Sequence, residues 1–279
     1  MHPIAITVGS MHIFSFSVFV LLAWMICSFL FWKNLRSQAI GEEPIFDLMF
    51  AGTISGLIGA RIGYILLNPA QFQDNILLTV TPWVSPGFSF YGALLTGVVT
   101  ILVVARRKRV RVGMVLDGLA FAVPPAIAVG EIASLLDGSI VGKATRASWG
   151  IVYAGHLERR HPVQVYEFLA LFAVTVFILF VQKEARLKKL PYGVVGIWFF
   201  LAFSALMFFL ESFRDTRVYW VSLSVNQWIL LGIFAEACGA LYVRGGGREV
   251  LRPRMIRFVS AVRRAPAQLY ERISKRHSS

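Results

Sequence analysis

Charge is scarce in this chain. Only 15% of its 279 residues are Asp, Glu, Lys or Arg, where ordinary soluble domains run about 25%. With 57% hydrophobic residues and a mean hydropathy of +0.66, that scarcity excludes the soluble globular class. Cysteine is scarcer still. Cys27 and Cys238 fall in separate apolar runs, which excludes a disulfide framework and a zinc-ligand pattern. No metal and no cofactor are expected. No Lys or Arg precedes the first apolar run, whose charges follow at Lys33 and Arg36, so it does not read as a signal peptide. The segment 68–87 also lacks Lys and Arg. Pro69, Pro82, Trp83 and Pro86 within it suggest a short re-entrant or interfacial stretch. No long internal repeat is present.

Long apolar runs are what the chain has. A membrane span needs about 20 mostly apolar residues. Seven runs qualify: 12–32, 46–67, 88–105, 114–136, 163–181, 192–211 and 219–243. The expected fold is an all-α integral membrane protein with seven transmembrane helices, a small extracytoplasmic cap and a basic cytoplasmic tail. Residues 1–243 form the membrane domain, with 137–162 as its outer insert, and 244–279 form the tail. Residues 149–153, Trp-Gly-Ile-Val-Tyr, read as a short strand in the insert.

Charge sets the orientation. Lys33 and Arg36 follow the first run, Arg106, Arg107, Lys108, Arg109 and Arg111 the third, and Lys183, Arg186, Lys188 and Lys189 the fifth. The tail from Arg244 onward is also rich in Arg. The opposite side carries only Lys143, Arg146, Arg159, Arg160, Arg214 and Arg217. The bias places the N-terminus outside and the C-terminus in the cytoplasm. In the tail, Met255, Ile256, Phe258, Val259 and Val262 interleave with Arg254, Arg257, Arg263 and Arg264. That pattern fits an interfacial helix on anionic lipid better than a nucleic-acid contact, so no nucleic acid is expected. Gly245, Gly246 and Gly247 read as its hinge.

A polar run enters the fifth span: Arg159-Arg160-His161-Pro162-Val163-Gln164-Val165-Tyr166-Glu167. Charged groups at membrane depth are costly unless paired or facing a polar cavity, which makes them functional candidates. Read as a helix, Val163, Tyr166 and Glu167 share a face, with Gln164 beside it. Arg61, among Gly59 and Gly63, either snorkels to the interface or contacts a phosphate. Asp117 reads as a structural partner for inner-leaflet arginines. Pro124 and Pro125 are expected to break the fourth span. Glu131 beyond them either pairs with an arginine or titrates as an acid or base. Glu211 and Arg214, at i and i+3, either form a simple ion pair or share a cavity with Glu131, His161 and Glu167.

These residues resemble the bacterial prolipoprotein diacylglyceryl transferases. Gly59-Ala60-Arg61-Ile62-Gly63-Tyr64 is similar to that family's arginine-glycine-tyrosine stretch. Residues 88–97, Phe-Ser-Phe-Tyr-Gly-Ala-Leu-Leu-Thr-Gly, resemble its Ser-Phe-His-Gly-Gly-Leu-Ile-Gly. Residues 130–142 fall on its signature, Gly-Arg-x-Gly-Asn-Phe-x-Asn-x-Glu-x-x-Gly. Gly142-Lys143-Ala144-Thr145 resembles the strand that follows. Residues 160–167 match Arg-His-Pro-x-Gln-x-Tyr-Glu, and Glu211-Ser212-Phe213-Arg214 resembles Glu-Phe-Phe-Arg.

The resemblance implies transfer of the diacylglyceryl group of phosphatidylglycerol to the lipobox cysteine thiol of a lipoprotein precursor in the bacterial inner membrane. It implies catalytic roles for Arg214, Glu131, His161 and Tyr91. It implies lipid contacts by Arg61, Arg160, Gln164, Tyr166, Glu167, Gly142 and Lys143. The signature itself departs. Its arginine is Glu131, its asparagines are Ser134 and Asp137, and its glutamate is Ser139. Tyr91 stands for the third-helix histidine, and Phe14 for a tyrosine of the first helix. A family member that has lost the reaction and binds phospholipid or precursor is therefore a second reading. A transporter with an ion path through Glu131, Glu167 and Arg214 is a weaker third, because no paired broken helices occur in matching halves.

Overall fold

Seven helices dominate, and each is long and apolar enough to cross a membrane. The computed structural model describes residues 4–8, 11–73, 75–218 and 220–244. The helices are α1 Ser15–Arg36, α2 Glu42–Leu67, α3 Phe90–Arg107, α4 Val112–Asp137, α5 Val163–Leu187, α6 Val194–Glu211 and α7 Val225–Arg244. All seven expected spans are present, and the chain is a multi-pass membrane protein. Several helices outrun their apolar bands. α1 continues through Lys33 to Arg36, and α5 through Arg186. Basic side chains in a last helical turn complement the carbonyl end of the helix, so the helix persists where hydropathy has stopped.

Three expectations need correction. The first span does not begin at 12, because Met11–Phe14 is a strand, β2, antiparallel to β1 at Ile4–Val8. A β-branched, alternating segment of this kind pairs readily as a strand. The last span begins at Val225, after a 3-10 turn at Trp220–Ser222. Nor does α4 break. It runs continuously over Pro124 and Pro125. Each proline removes one backbone donor, and packed neighbours tolerate that in a membrane helix.

The chain divides into two compact units, Met1–Phe234 and Ala235–Ser279. The second is described only over 235–244, the end of α7. The expected glycine hinge and basic amphipathic tail lie outside the described residues.

In the first unit α4 is the most enclosed span, with 56% of its apolar window buried against 11% for α1 and α2. It packs on α1, α5 and α6. One apolar cluster joins α1, α2, α3 and α4 through Phe31, Leu35, Leu48, Ala105 and Val115. A second joins α4, α5, α6 and α7 through Ala120, Leu171, Phe199, Phe203 and Leu230. Between α2 and α3 the backbones approach closely. A side chain at Gly92 would strike the Gly59 carbonyl, and one at Gly59 would strike Thr96. Small residues at such crossings let membrane helices touch.

Asp117, expected to partner inner-leaflet arginines, makes two hydrogen bonds to backbone. Its carboxylate accepts from the N–H of Gly193 at 2.7 Å and of Gly196 at 2.9 Å. A carboxylate from α4 thus caps the N-terminus of α6, where unpaired donors and the helix dipole favour negative charge.

Candidate active site

The cap is a small sheet built on a strand-like run. Lys143 N–H donates to Phe213 O, and Asp215 N–H to Val141 O. On the other side His161 N–H donates to Lys143 O, and Thr145 N–H to Arg159 O. The expected strand in the insert is two residues long: β3, Ile151–Val152, pairs antiparallel with β4, Arg159–Arg160. Gly142 bridges to Arg214. A side chain at Gly142 would collide with the His161 carbonyl and Val163. Gly142 therefore serves close approach of cap and helix, and through it the backbone at Arg214 is fixed.

Below this cap, polar groups from five elements meet in an apolar bundle. Tyr91 comes from the start of α3, Glu131 from the end of α4, Glu167 from the start of α5, Glu211 from the last residue of α6, and Arg214 from just beyond. Tyr91, Glu167 and Glu211 are 5%, 3% and 3% exposed, and Glu131 is 8% exposed. Glu167 grips Arg214 with both oxygens. Arg214 Nε donates to Oε1 at 2.8 Å and Nη2 to Oε2 at 2.6 Å. Glu211 Oε2 lies 3.5 Å from Nη1. Burial works against the charge on Arg214, but Glu167 and Glu211 outweigh it and hold the guanidinium protonated, with its pKa raised. Arg214 thus pairs with Glu211, the simpler of the two readings, and more closely with Glu167.

Glu131 has no salt bridge to an arginine among the described residues, and its Oε2 is buried without a hydrogen-bond partner. The Glu131 carboxyl meets that of Glu167 instead, so a third carboxyl group adjoins the Arg214–Glu167–Glu211 cluster. Two buried carboxyl groups in contact cannot both stay charged without cost, which favours one proton held between them.

A further set of residues was not legible in advance. Glu211 Oε1 accepts from Asn226 Nδ2 at 2.8 Å and from Ser224 Oγ at 3.2 Å. Gln227 Nε2 donates to Ser212 Oγ and Phe208 O. These contacts tie the end of α6 to the start of α7. The only signal was three polar residues, Ser224, Asn226 and Gln227, opening an apolar run.

The remaining candidates separate into two groups. His161 and Tyr166 pack together, with His161 Nδ1 3.2 Å from Tyr166 Oη and both rings against Phe213, the neighbour of Arg214. Trp149 Nε1 donates to Tyr166 Oη at 2.8 Å. Arg160 pairs with Asp215 at 2.7 Å and donates to Gly142 O, while its Nε is buried without a partner. Lys143 is exposed beside them. Gln164 and Arg61 belong to the second group, committed to protein. Gln164 is 1% exposed, donates to Ile140 O and accepts from Tyr153 Oη at 2.8 Å. It latches the cap to α5. Arg61 donates to the carbonyls of Thr79, Ser85, Gly87 and Leu78. That leaves it little to offer a phosphate.

The sequence profile described as prolipoprotein diacylglyceryl transferase matches residues 3–243. The chain belongs to this family. Relatives named phosphatidylglycerol–prolipoprotein diacylglyceryl transferase include a Nitrosomonas europaea protein, 29% identical over 251 residues, covering 86% of this chain and 88% of the relative. A protein of Wolbachia sp. subsp. Drosophila simulans is 26% identical over 263 residues, covering 90% and 99%. One from Geobacter sulfurreducens is 33% identical over 183 residues, covering 64% and 68%. The runs that resemble the family's motifs form distinct physical parts here. The arginine-histidine-proline run builds the cap and the entry to α5, its terminal glutamate orients Arg214, and the signature ends in the glycine that seats the cap.

Proposed function

We propose that this protein transfers the diacylglyceryl group of phosphatidylglycerol to the cysteine thiol of a lipoprotein precursor. One observation carries the reading. Arg214 is buried and aimed by Glu167 through Nε and Nη2, while Nη1 faces Glu211 Oε2 at the longer distance of 3.5 Å. A fixed donor of this kind suits the charge that grows on a departing phosphate ester.

In the reaction, the cysteine sulfur attacks the glyceryl carbon that carries the phosphate. The S–C bond forms, the C–O bond breaks, and glycerol phosphate leaves with the electron pair. Arg214 Nη1 holds that charge. Lys143, Arg160 and His161 come from the cap strands that pair beside Arg214 and add positive or titratable groups there. The thiol must lose its proton to be an effective nucleophile. Glu131, buried and in contact with the Glu167 carboxyl, is the acceptor. Proton uptake there brings three carboxylates and one guanidinium closer to balance. The direct test is complementation. The full chain should sustain a bacterium depleted of its own diacylglyceryl transferase and modify a lipobox peptide in its membranes. Failure of both, with the protein folded and binding phosphatidylglycerol, would favour the lipid-binding reading instead.

The site faces the outside of the inner membrane in this proposal, with the N-terminus outside and the C-terminus cytoplasmic. The support is the excess of Lys and Arg on the opposite face. On a Cys27→Ser, Cys238→Ser background, Ser148→Cys in the exposed cap should react with an impermeant thiol reagent in intact cells. Protection until the membrane is opened would reverse the orientation.

A further inference from the structure

Arg61 is a buried cation with no carboxylate partner among the described residues. At 9% exposure it sits against the rings of Phe72 and Tyr64, 5.3 and 6.0 Å from their centroids. Its guanidinium points into the connection between α2 and α3. Nε donates to Thr79 O at 2.9 Å, Nη1 to Ser85 O at 2.8 Å and Gly87 O at 3.0 Å, and Nη2 to Leu78 O. The connection has two 3-10 helices, Pro69–Gln71 and Ile76–Thr79. Gln71 Nε2 donates to the buried Ser85 Oγ at 2.9 Å, and the exposed Asn75 accepts locally from Leu77 N–H.

The outside of the same segment is apolar. Ile76, Leu77, Val80, Trp83 and Val84 are each between 63% and 78% exposed. Residues 75–89 include no charged side chain. This surface continues the lipid-facing sides of α2 and α3, where Ile58, Ile62, Leu66 and Val99 are exposed. A loop in water would leave its carbonyls to the solvent and need no buried arginine. Irregular backbone in lipid must have its polar groups satisfied from within the protein.

We propose that residues 76–84 insert into the phospholipid leaflet as an apolar lip beside the site, and that Arg61 supplies the hydrogen bonds water would otherwise provide. Because the chain crosses the membrane serially, this connection lies on the same face as the ends of α4, α5 and α6 that form the site. The occupant is the lipid at the headgroup and upper-chain level, where Trp83 fits the interface. The proposal goes beyond the transfer reaction and stands without it.

The test uses the full chain on the Cys27→Ser, Cys238→Ser background, reconstituted in phosphatidylglycerol and phosphatidylethanolamine vesicles. Leu77→Cys carries an environment-sensitive fluorophore. Its emission should shift to the blue and be largely lost when the lipids carry nitroxides near the headgroup, with little loss to aqueous iodide. The reverse pattern would put the loop in water and overturn the proposal. Resistance to both quenchers would bury it against protein and overturn it equally. Arg61→Lys cannot reproduce the four-carbonyl grip, so iodide should gain access to the same label. Unchanged quenching in a folded Arg61→Lys protein would overturn the role given to Arg61.

Discussion

Replacing Arg214 with Ala is expected to give the largest loss of any single substitution, in stability and in transfer together. Its guanidinium is the only cation paired with Glu167 and Glu211 among the described residues. Both carboxylates are 3% exposed. Removing one partner of a buried ion pair costs about 3–5 kcal/mol, because the other charge stays buried without compensation. The fold should melt well below the wild type in detergent. Transfer to a lipobox peptide should fall by about 10²–10³ through the lost donor alone. Arg214→Lys separates the two effects. An ammonium keeps the charge but cannot make the two-point contact with Glu167, and Arg and Lys are not interchangeable at such sites. Lysine should therefore recover much of the melting temperature and little of the rate. Transfer by Arg214→Ala within about threefold of wild type, well short of the roughly 100-fold loss expected for a missing donor, would remove Arg214 from the chemistry.

The architecture was legible because lipid imposes it. Seven apolar runs can only be seven helices where the backbone must satisfy itself. The departures occur where hydropathy stops carrying information. Whether the chain at Met11–Phe14 joins the helix behind it or the strand before it depends on pairing with Ile4–Val8, which no single window displays. Pro124 and Pro125 looked like a break because local rules forbid proline in a helix interior. α4 nevertheless remains one helix in the most enclosed position of the bundle.

At the site, residue types were easier to read than partners. Glu131, Glu167 and Arg214 stood out as polar groups at membrane depth and Tyr91 through the family resemblance, and the fold brings them together. Gly142 and Gln164 stood in the same motifs for another reason. One admits the His161 carbonyl and the other closes a buried hydrogen-bond gap between cap and helix. A motif read as a row of letters does not separate contact with substrate from support of the scaffold. The Arg160–Asp215 and Trp149–Tyr166 contacts were hidden for a similar cause. Each joins residues whose proximity depends on the cap folding back.

Glu131→Gln should separate lipid binding from turnover. The amide matches the carboxyl group in size but cannot accept the thiol proton. Loss of a positioned general base lowers rates by about 10²–10⁴, so transfer should drop by that order while phosphatidylglycerol binding in vesicles holds. Glu131→Arg places the family's residue in the signature. It adds a cation next to Arg214, competes with it for Glu167 and leaves the thiol without this acceptor, so transfer should also fail. Adding Tyr91→His restores both family residues at once. Groups that act as a unit are strongly non-additive, and recovery confined to the pair would mark the two positions as alternative solutions to one problem. The opposite result is equally readable. Faster transfer by Glu131→Gln or Glu131→Arg alone would show that the carboxylate obstructs the phosphate, and Glu131 would lose its role as proton acceptor.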